Sequence, residues 1–120
     1  MKKINTITLA LILILSLPLQ ASDDVFVRAK KLLTPCLNMV DNQTMMLYQG
    51  MLFDIESRAG EAQKLGADMT SFYREGVVFL DQCLTLVQPR VRTIDEVELI
   101  LELKSFRNQI AKRVRMPLIK

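Results

Sequence analysis

The sequence contains no histidine and no tryptophan among its 120 residues. Histidine is the commonest general base and the commonest metal ligand in proteins, so its absence excludes the Ser-His and Cys-His arrangements of nucleophilic catalysis. No glycine-rich phosphate loop and no metal-binding cysteine pattern takes its place. We therefore expect a protein that is not an enzyme and that carries neither a metal nor a cofactor.

Glycine and proline are also scarce, with four residues of each. No segment alternates apolar and polar residues between turn signals, as a β-strand would, whereas apolar residues recur at spacings of three and four along most of the chain. Short connections make consecutive helices pack antiparallel. The sequence therefore predicts an all-α fold, a small antiparallel four-helix bundle.

A long hydrophobic run occurs only near the N-terminus. Two lysines precede an aliphatic segment at residues 7–17, and Ala21 supplies the small residue before a cleavage site. The run is shorter than the about 20 residues of a spanning helix, although an uncleaved anchor is the alternative. We expect residues 1–21 to be a bacterial Sec-type signal peptide, without a lipoprotein cysteine. Residues 22–120 would then be a single helical domain in the periplasm or outside the cell.

Cys36 and Cys83 are the only cysteines. An even number in an exported protein favours an intramolecular disulfide, which would add about 4 kcal/mol to stability through the loop that it closes. An intermolecular bridge or two free thiols are the alternatives. Both residues lie on apolar stripes, so we expect both side chains to point into the core.

Capping signals place the helices along the chain. The first helix is predicted to begin at the cluster of residues 22–24, with a kink or a fresh start at Thr34-Pro35, and the others are predicted over 45–64, 69–87 and 93–114. Thr93 and Glu96 match the capping box, in which each side chain binds a backbone N–H.

The second helix carries two stripes at helical spacing. The first is apolar and contains Tyr48, Leu52, Ile55, Ala59 and Ala62. The second contains Met46, Gly50, Phe53, Ser57 and Gly60. A glycine inside a helix costs about 1 kcal/mol relative to alanine, so two on one side indicate close approach of a neighbouring helix. We expect this helix in the middle of the bundle, covered on two sides.

Positive charge is concentrated towards the C-terminus. These cations are Lys104, Arg107, Lys112, Arg113, Arg115 and Lys120. They either complement the negative end of the last helix dipole or form a patch for anionic lipid headgroups or an acidic protein. No aromatic residue lies between them, so we expect no nucleic-acid partner. The candidate partner-binding residues are Arg90, Arg92, Arg113 and Arg115.

Methionine is frequent, with seven residues. A group of them is Met39, Met45, Met46, Met51 and Met69. Thioethers suit Cu(I), but these residues lie mostly on apolar stripes and do not repeat at a short spacing. We expect them to fill the core or to form an adaptable contact surface.

Three segments resemble the Tai-type immunity proteins, which are small exported helical proteins that neutralise cell-wall amidase effectors of type VI secretion. The similar features are Lys31-Leu32-Leu33-Thr34-Pro35-Cys36, the helix Tyr48-Gln49-Gly50-Met51-Leu52-Phe53-Asp54, and a helix closing at Pro89 followed by Val97-Glu98-Leu99-Ile100-Leu101-Glu102-Leu103. The resemblance implies that the protein binds an effector enzyme, occludes its cleft and has no catalytic residues.

The spacing of Cys36 and Cys83, with the helix ending Leu80-Asp81-Gln82-Cys83, is similar to the HdeA-like acid-stress chaperones. That resemblance implies a homodimer that acid loosens by protonating carboxylates such as Asp81, which exposes apolar surface. A further alternative is an accessory subunit of an envelope complex, held there by the basic C-terminal helix.

Overall fold

The computed structural model describes residues 17–120, which form four α-helices and one short 3-10 helix. The helices are α1 (Leu17–Leu37), α2 (Asn42–Lys64), α3 (Thr70–Val87) and α4 (Ile94–Arg113), with the 3-10 turn Gln88–Arg90 between α3 and α4. The predicted all-α fold is confirmed. No helix in this part of the chain is both long and apolar enough to span a membrane.

The four helices form a ring in chain order, because each packs against the next and α4 packs back against α1. Side-chain contacts show that α3 and α4 run antiparallel. Asp81 of α3 binds Arg107 of α4, whereas Arg74, two turns earlier in α3, donates to the carbonyl of Val114, just beyond the end of α4. Helices α2 and α4 therefore lie diagonally opposite each other.

The helix ends follow the predicted capping chemistry. The Asp41 carboxylate accepts a hydrogen bond from the Thr44 backbone N–H at 2.8 Å and caps α2. Thr93 and Glu96 form the predicted capping box of α4, with bonds of 3.1 and 3.2 Å. Gly66 ends the α2 region at a φ of 75°, a left-handed conformation that favours glycine.

Helix α1 differs from the prediction at its N-terminus, and it has no fresh start at Thr34-Pro35. It is helical from Leu17, so the cap cluster at residues 22–24 lies inside it and the predicted start is wrong for the full chain. It also continues through Pro35 without a second start. Pro35 lies in the last turn, where its missing N–H removes one helical bond. Most of the predicted signal peptide lies outside the described residues.

The core is built from one stripe of each helix. Helix α3 contributes most, with eight buried residues. They are Tyr73, Gly76, Val77, Phe79, Leu80, Cys83, Leu84 and Val87. Leu33 of α1 and Leu103 of α4 are buried against them. Each helix is held by apolar burial at three- and four-residue spacing.

Cys36 and Cys83 are both fully buried, as predicted, but the predicted disulfide between them is wrong for this structure. They project from the diagonally related helices α1 and α3 as free thiols that are not at bonding distance. Burial is the main reason that the pKa of Cys36 is raised to about 11 and that of Cys83 to about 12. The charge of Glu102 contributes to the first shift and Cys36 contributes to the second.

The predicted central position of α2 is also wrong. Its first stripe is buried at Leu52, Ile55 and Ala59, but the second faces solvent. A side chain at Gly50 or Gly60 would meet no atom within 4 Å, so no helix approaches there. The reason is the ring arrangement, in which α2 contacts α1 and α3 on one side only. We call the outward stripe the α2 face; it consists of Met46, Gly50, Phe53, Ser57 and Gly60.

Candidate functional site

The outward side of α4 carries large apolar residues at helical spacing. Ile94, Val97 and Leu101 are 77%, 44% and 57% exposed. Spacings of three and four place them on one line, on the side of the helix opposite the buried Leu103 and Ile110. We call this line with its acidic neighbours the α4 face. It forms a ridge on the surface of the bundle.

Acidic side chains flank the apolar ridge. Asp95, Glu98 and Glu102 are all exposed, and Asp95 lies in the first turn, where a carboxylate is stabilised by the helix dipole. The α4 face therefore combines apolar contact area with negative charge along one margin, because helical spacing places all three carboxylates on the same side of the ridge. Such a surface is complementary to an apolar cleft that has basic residues around its rim.

The back of α4 is fixed by a buried arginine. Arg107 is only 4% exposed, and its guanidinium donates two hydrogen bonds to the Asp81 carboxylate, at 2.7 Å from Nε and 3.0 Å from Nη2. Its Nη1 donates to the carbonyl of Pro117 at 2.6 Å. This paired geometry locks α4 to α3 and gives the outward ridge a rigid support.

The segment after α4 folds back along the bundle. Arg115 turns the chain with a φ of 60°, and the Asn108 amide then pairs with the backbone of Ile119. Asn108 Nδ2 donates to the Ile119 carbonyl at 2.7 Å, and the Ile119 N–H donates to Asn108 Oδ1 at 3.0 Å. Residues 114–119 therefore cover part of the core rather than extending the basic helix.

The four predicted partner-binding arginines do not form one patch. Arg90 and Arg92 precede α4, whereas Arg113 and Arg115 lie at its other end. The helix between them is about 30 Å long at a rise of about 1.5 Å per residue. All four are exposed, and Arg90 also donates a hydrogen bond to the Leu86 carbonyl. The structure thus separates them into two pairs, and Arg107 is withdrawn from the surface altogether.

The methionines mostly fill the core margin, as predicted. Those packed against the core are Met39, Met45, Met51 and Met69, together with Met116. Met46 is the exception, because it is 67% exposed on the α2 face. Within residues 25–120, whose side chains the structure describes, no three cysteine, aspartate or glutamate side chains converge in a way that could hold a metal ion.

Two structural features were not predicted, although the sequence contains a signal for each. The α4 ridge repeats at three and four residues from Ile94 to Leu101, on the side away from Leu103 and Ile110. Arg107 lies between Leu103 and Ile110 at spacings of four and three, which places a cation on the buried side. The outward and the inward stripe of α4 therefore each contain one of these signals.

No protein-family model, no curated protein and no solved structure matches this chain. The resemblances to immunity proteins and acid-stress chaperones therefore rest on the sequence features alone.

Proposed function

We propose that this protein is an exported helical binding protein of the immunity type, which occludes the cleft of a cell-wall amidase effector through the α4 face. The observation that carries the proposal is the exposure of Ile94, Val97 and Leu101 on one line of a rigidly supported helix. A convex ridge of this kind fills a concave cleft, and large apolar residues at the centre of a contact supply most of its binding energy.

The acidic residues beside the ridge indicate the charge expected on the partner's surface. Glu98 and Glu102 would face basic residues at the rim of the effector's cleft, and opposite charges of this kind accelerate association. Because exposed charges are screened by salt, the association rate should fall as the ionic strength rises.

The test uses the product of the gene beside this one, where an immunity protein's target is encoded. The protein and that neighbouring hydrolase are purified, and cleavage of peptidoglycan is measured with and without the binding protein. We expect a stable complex and loss of cleavage. Leu101→Arg and Glu98→Lys should each restore cleavage, because they place positive charge against a basic rim.

Leu65→Arg is the matched control, because Leu65 is 85% exposed but lies in the α2–α3 connection, away from the α4 face. It should inhibit as well as the native chain. A neighbouring gene that encodes no cell-wall hydrolase, or full inhibition by Leu101→Arg, would contradict the proposal.

A second candidate, an acid-activated chaperone, is favoured by the position of Asp81. This carboxylate holds the buried Arg107, so loss of its negative charge would leave a buried cation without its counter-charge and loosen α4 and the segment after it. Suppression of client aggregation near pH ~3, but not at neutral pH, would support this candidate. Equal aggregation with and without the protein in acid would remove it.

A further inference from the structure

The α2 face exposes large apolar side chains with hollows between them. Met46 and Phe53 are each 67% exposed, and they alternate along the helix with Gly50 and Ser57. The order from residue 46 is large, small, large, small, at spacings of four, three and four. Nothing fills the space above Gly50, so the surface presents two ridges and two hollows to solvent.

We infer that this face binds a second copy of the same chain, with the two α2 helices antiparallel. If a two-fold axis crosses α2 between Met51 and Leu52, Phe53 of each copy lies over Gly50 of the other. The same operation places Met46 over Ser57. Each ridge then enters a hollow, and one stripe of sequence satisfies both sides of the contact, as an isologous interface requires.

The charges of α2 select the antiparallel arrangement. Residues 42–53 carry no charge, and all the charged side chains of α2 lie in its second half. They are Asp54, Glu56, Arg58, Glu61 and Lys64. A parallel pair would oppose Glu61 to Glu61 and Lys64 to Lys64, which is repulsive.

In the antiparallel pair, the uncharged half of each helix covers the charged half of the other. Lys64 also falls near Asp41 of the second copy, within about two residues of register, so opposite charges meet at both ends. The two helix dipoles also lie side by side and antiparallel, so the positive end of each is next to the negative end of the other, which is favourable. The charges and the side-chain sizes of α2 therefore both favour the antiparallel pairing.

The contact is one helix of 23 residues per copy. Specific interfaces bury about 1,200–2,000 Å² in total, and a single helix pair lies at the small end of that range. We therefore expect a reversible dimer with a dissociation constant on the order of micromolar. The dimer uses the opposite side of the bundle from the α4 face and does not depend on the proposed function.

Sedimentation velocity across a wide range of protein concentration tests the inference. The native chain should pass from the mass of one copy to the mass of two. Gly50→Leu should remain a monomer throughout, because leucine fills the hollow that Phe53 of the second copy enters. The free space around Gly50 makes this substitution compatible with the monomer fold, which circular dichroism can check.

Leu101→Ser is the control, because it removes an exposed leucine from α4, outside the α2 face. This variant should dimerise like the native chain. A chain that stays monomeric at all concentrations, or Gly50→Leu that dimerises normally, would overturn the inference. Inhibition of a hydrolase does not enter these readouts, so failure here is separate from failure of the proposed function.

A cross-linking experiment tests the register directly. Met46→Cys combined with Ser57→Cys should give a covalent dimer on mild oxidation, because these positions face each other between copies. Within one chain they are about 16 Å apart along the helix, too far for a disulfide. Either substitution alone should give little covalent dimer, and equal cross-linking of the single variants would reject the proposed register.

Discussion

Arg107 is buried although its guanidinium carries a full charge, and every one of its polar contacts is made within the chain. Two bonds go to Asp81, one to Asn108 and one to the carbonyl of Pro117. A buried cation is tolerated only when such partners replace water. One side chain therefore joins α3, α4 and the segment that follows α4.

Asp81→Asn should destabilise the fold by about 2 kcal/mol, because it leaves the buried guanidinium without its counter-charge. This is below the about 3–5 kcal/mol of fully buried pairs, since Asp81 itself is 40% exposed. Urea denaturation measures the change. Asp54→Asn, which removes the exposed partner of Arg58, should leave the midpoint nearly unchanged. Equal effects of the two substitutions would show that the Asp81–Arg107 pair stabilises the fold no more than the exposed Asp54–Arg58 pair.

The two thiols should be present as free, protonated groups in the native protein. Their raised pKa values, about 11 and 12, mean that the thiolate hardly forms at neutral pH. A thiol reagent should label neither residue in the folded chain and both after unfolding without reductant. Unfolded protein that takes up no label would mean that Cys36 and Cys83 are bonded.

The same burial predicts a loss of stability in alkali. Because the folded-state pKa values lie above the value of 9.0 for an unperturbed thiol, unfolding releases protons once the pH exceeds about 9. The free energy of unfolding is thus highest below that pH and declines from there towards pH 11–12. Urea midpoints of the native chain and of a Cys83→Ala variant should converge as the pH rises. Parallel curves would contradict this assignment.

At the scale of the helix, α2 shows how far a periodic pattern can be interpreted. Its inward residues Leu52, Ile55 and Ala59 were predicted correctly, because apolar spacing identifies a buried line. The second stripe follows the same spacing, but a pattern within one helix cannot show whether another helix is available to cover it. That depends on how the other three helices are arranged. In the ring, none lies beyond α2.

Two glycines near the end of α2 should respond in opposite directions to alanine. Gly60→Ala should stabilise the dilute protein by about 0.5–1 kcal/mol, because the site is helical and open. Gly66→Ala should destabilise it by about 1 kcal/mol, because its φ of 75° is strained for any residue with a side chain. Thermal unfolding measures both. A stabilising Gly66→Ala would show that the left-handed turn is not kept in solution.

The caps were predictable because their chemistry is local. Asp41 and the Thr93–Glu96 pair bind backbone groups within four residues, so the sequence alone specifies them. The bonds from Arg107 to Asp81 and to Pro117 join positions 26 and 10 residues apart. Contacts of this kind follow only from the packing of helices. The apolar pattern of α4 therefore indicated that position 107 is buried, but it could not identify Asp81 as the partner.

Across the whole molecule, packing is uneven. Helix α3 buries eight residues and α2 buries three, so α2 should open more easily than the rest of the bundle. Hydrogen exchange should show faster exchange for the amides of residues 46–60 than for those of α3. If the proposed α2 dimer forms in concentrated solution, this difference in exchange rate should become smaller there. Equal protection of the amides in all four helices would contradict the prediction that α2 opens more easily than α3.

The placement of α2 and α4 at opposite corners of the ring has a consequence for valency. In the proposed α2 dimer, both α4 ridges would be turned outward and away from each other. Such a dimer would hold two molecules of the proposed partner at once, in a two-to-two assembly. On a partner that is itself dimeric or clustered at the cell wall, the second contact would form at a high effective concentration, and weak individual binding would become tight retention.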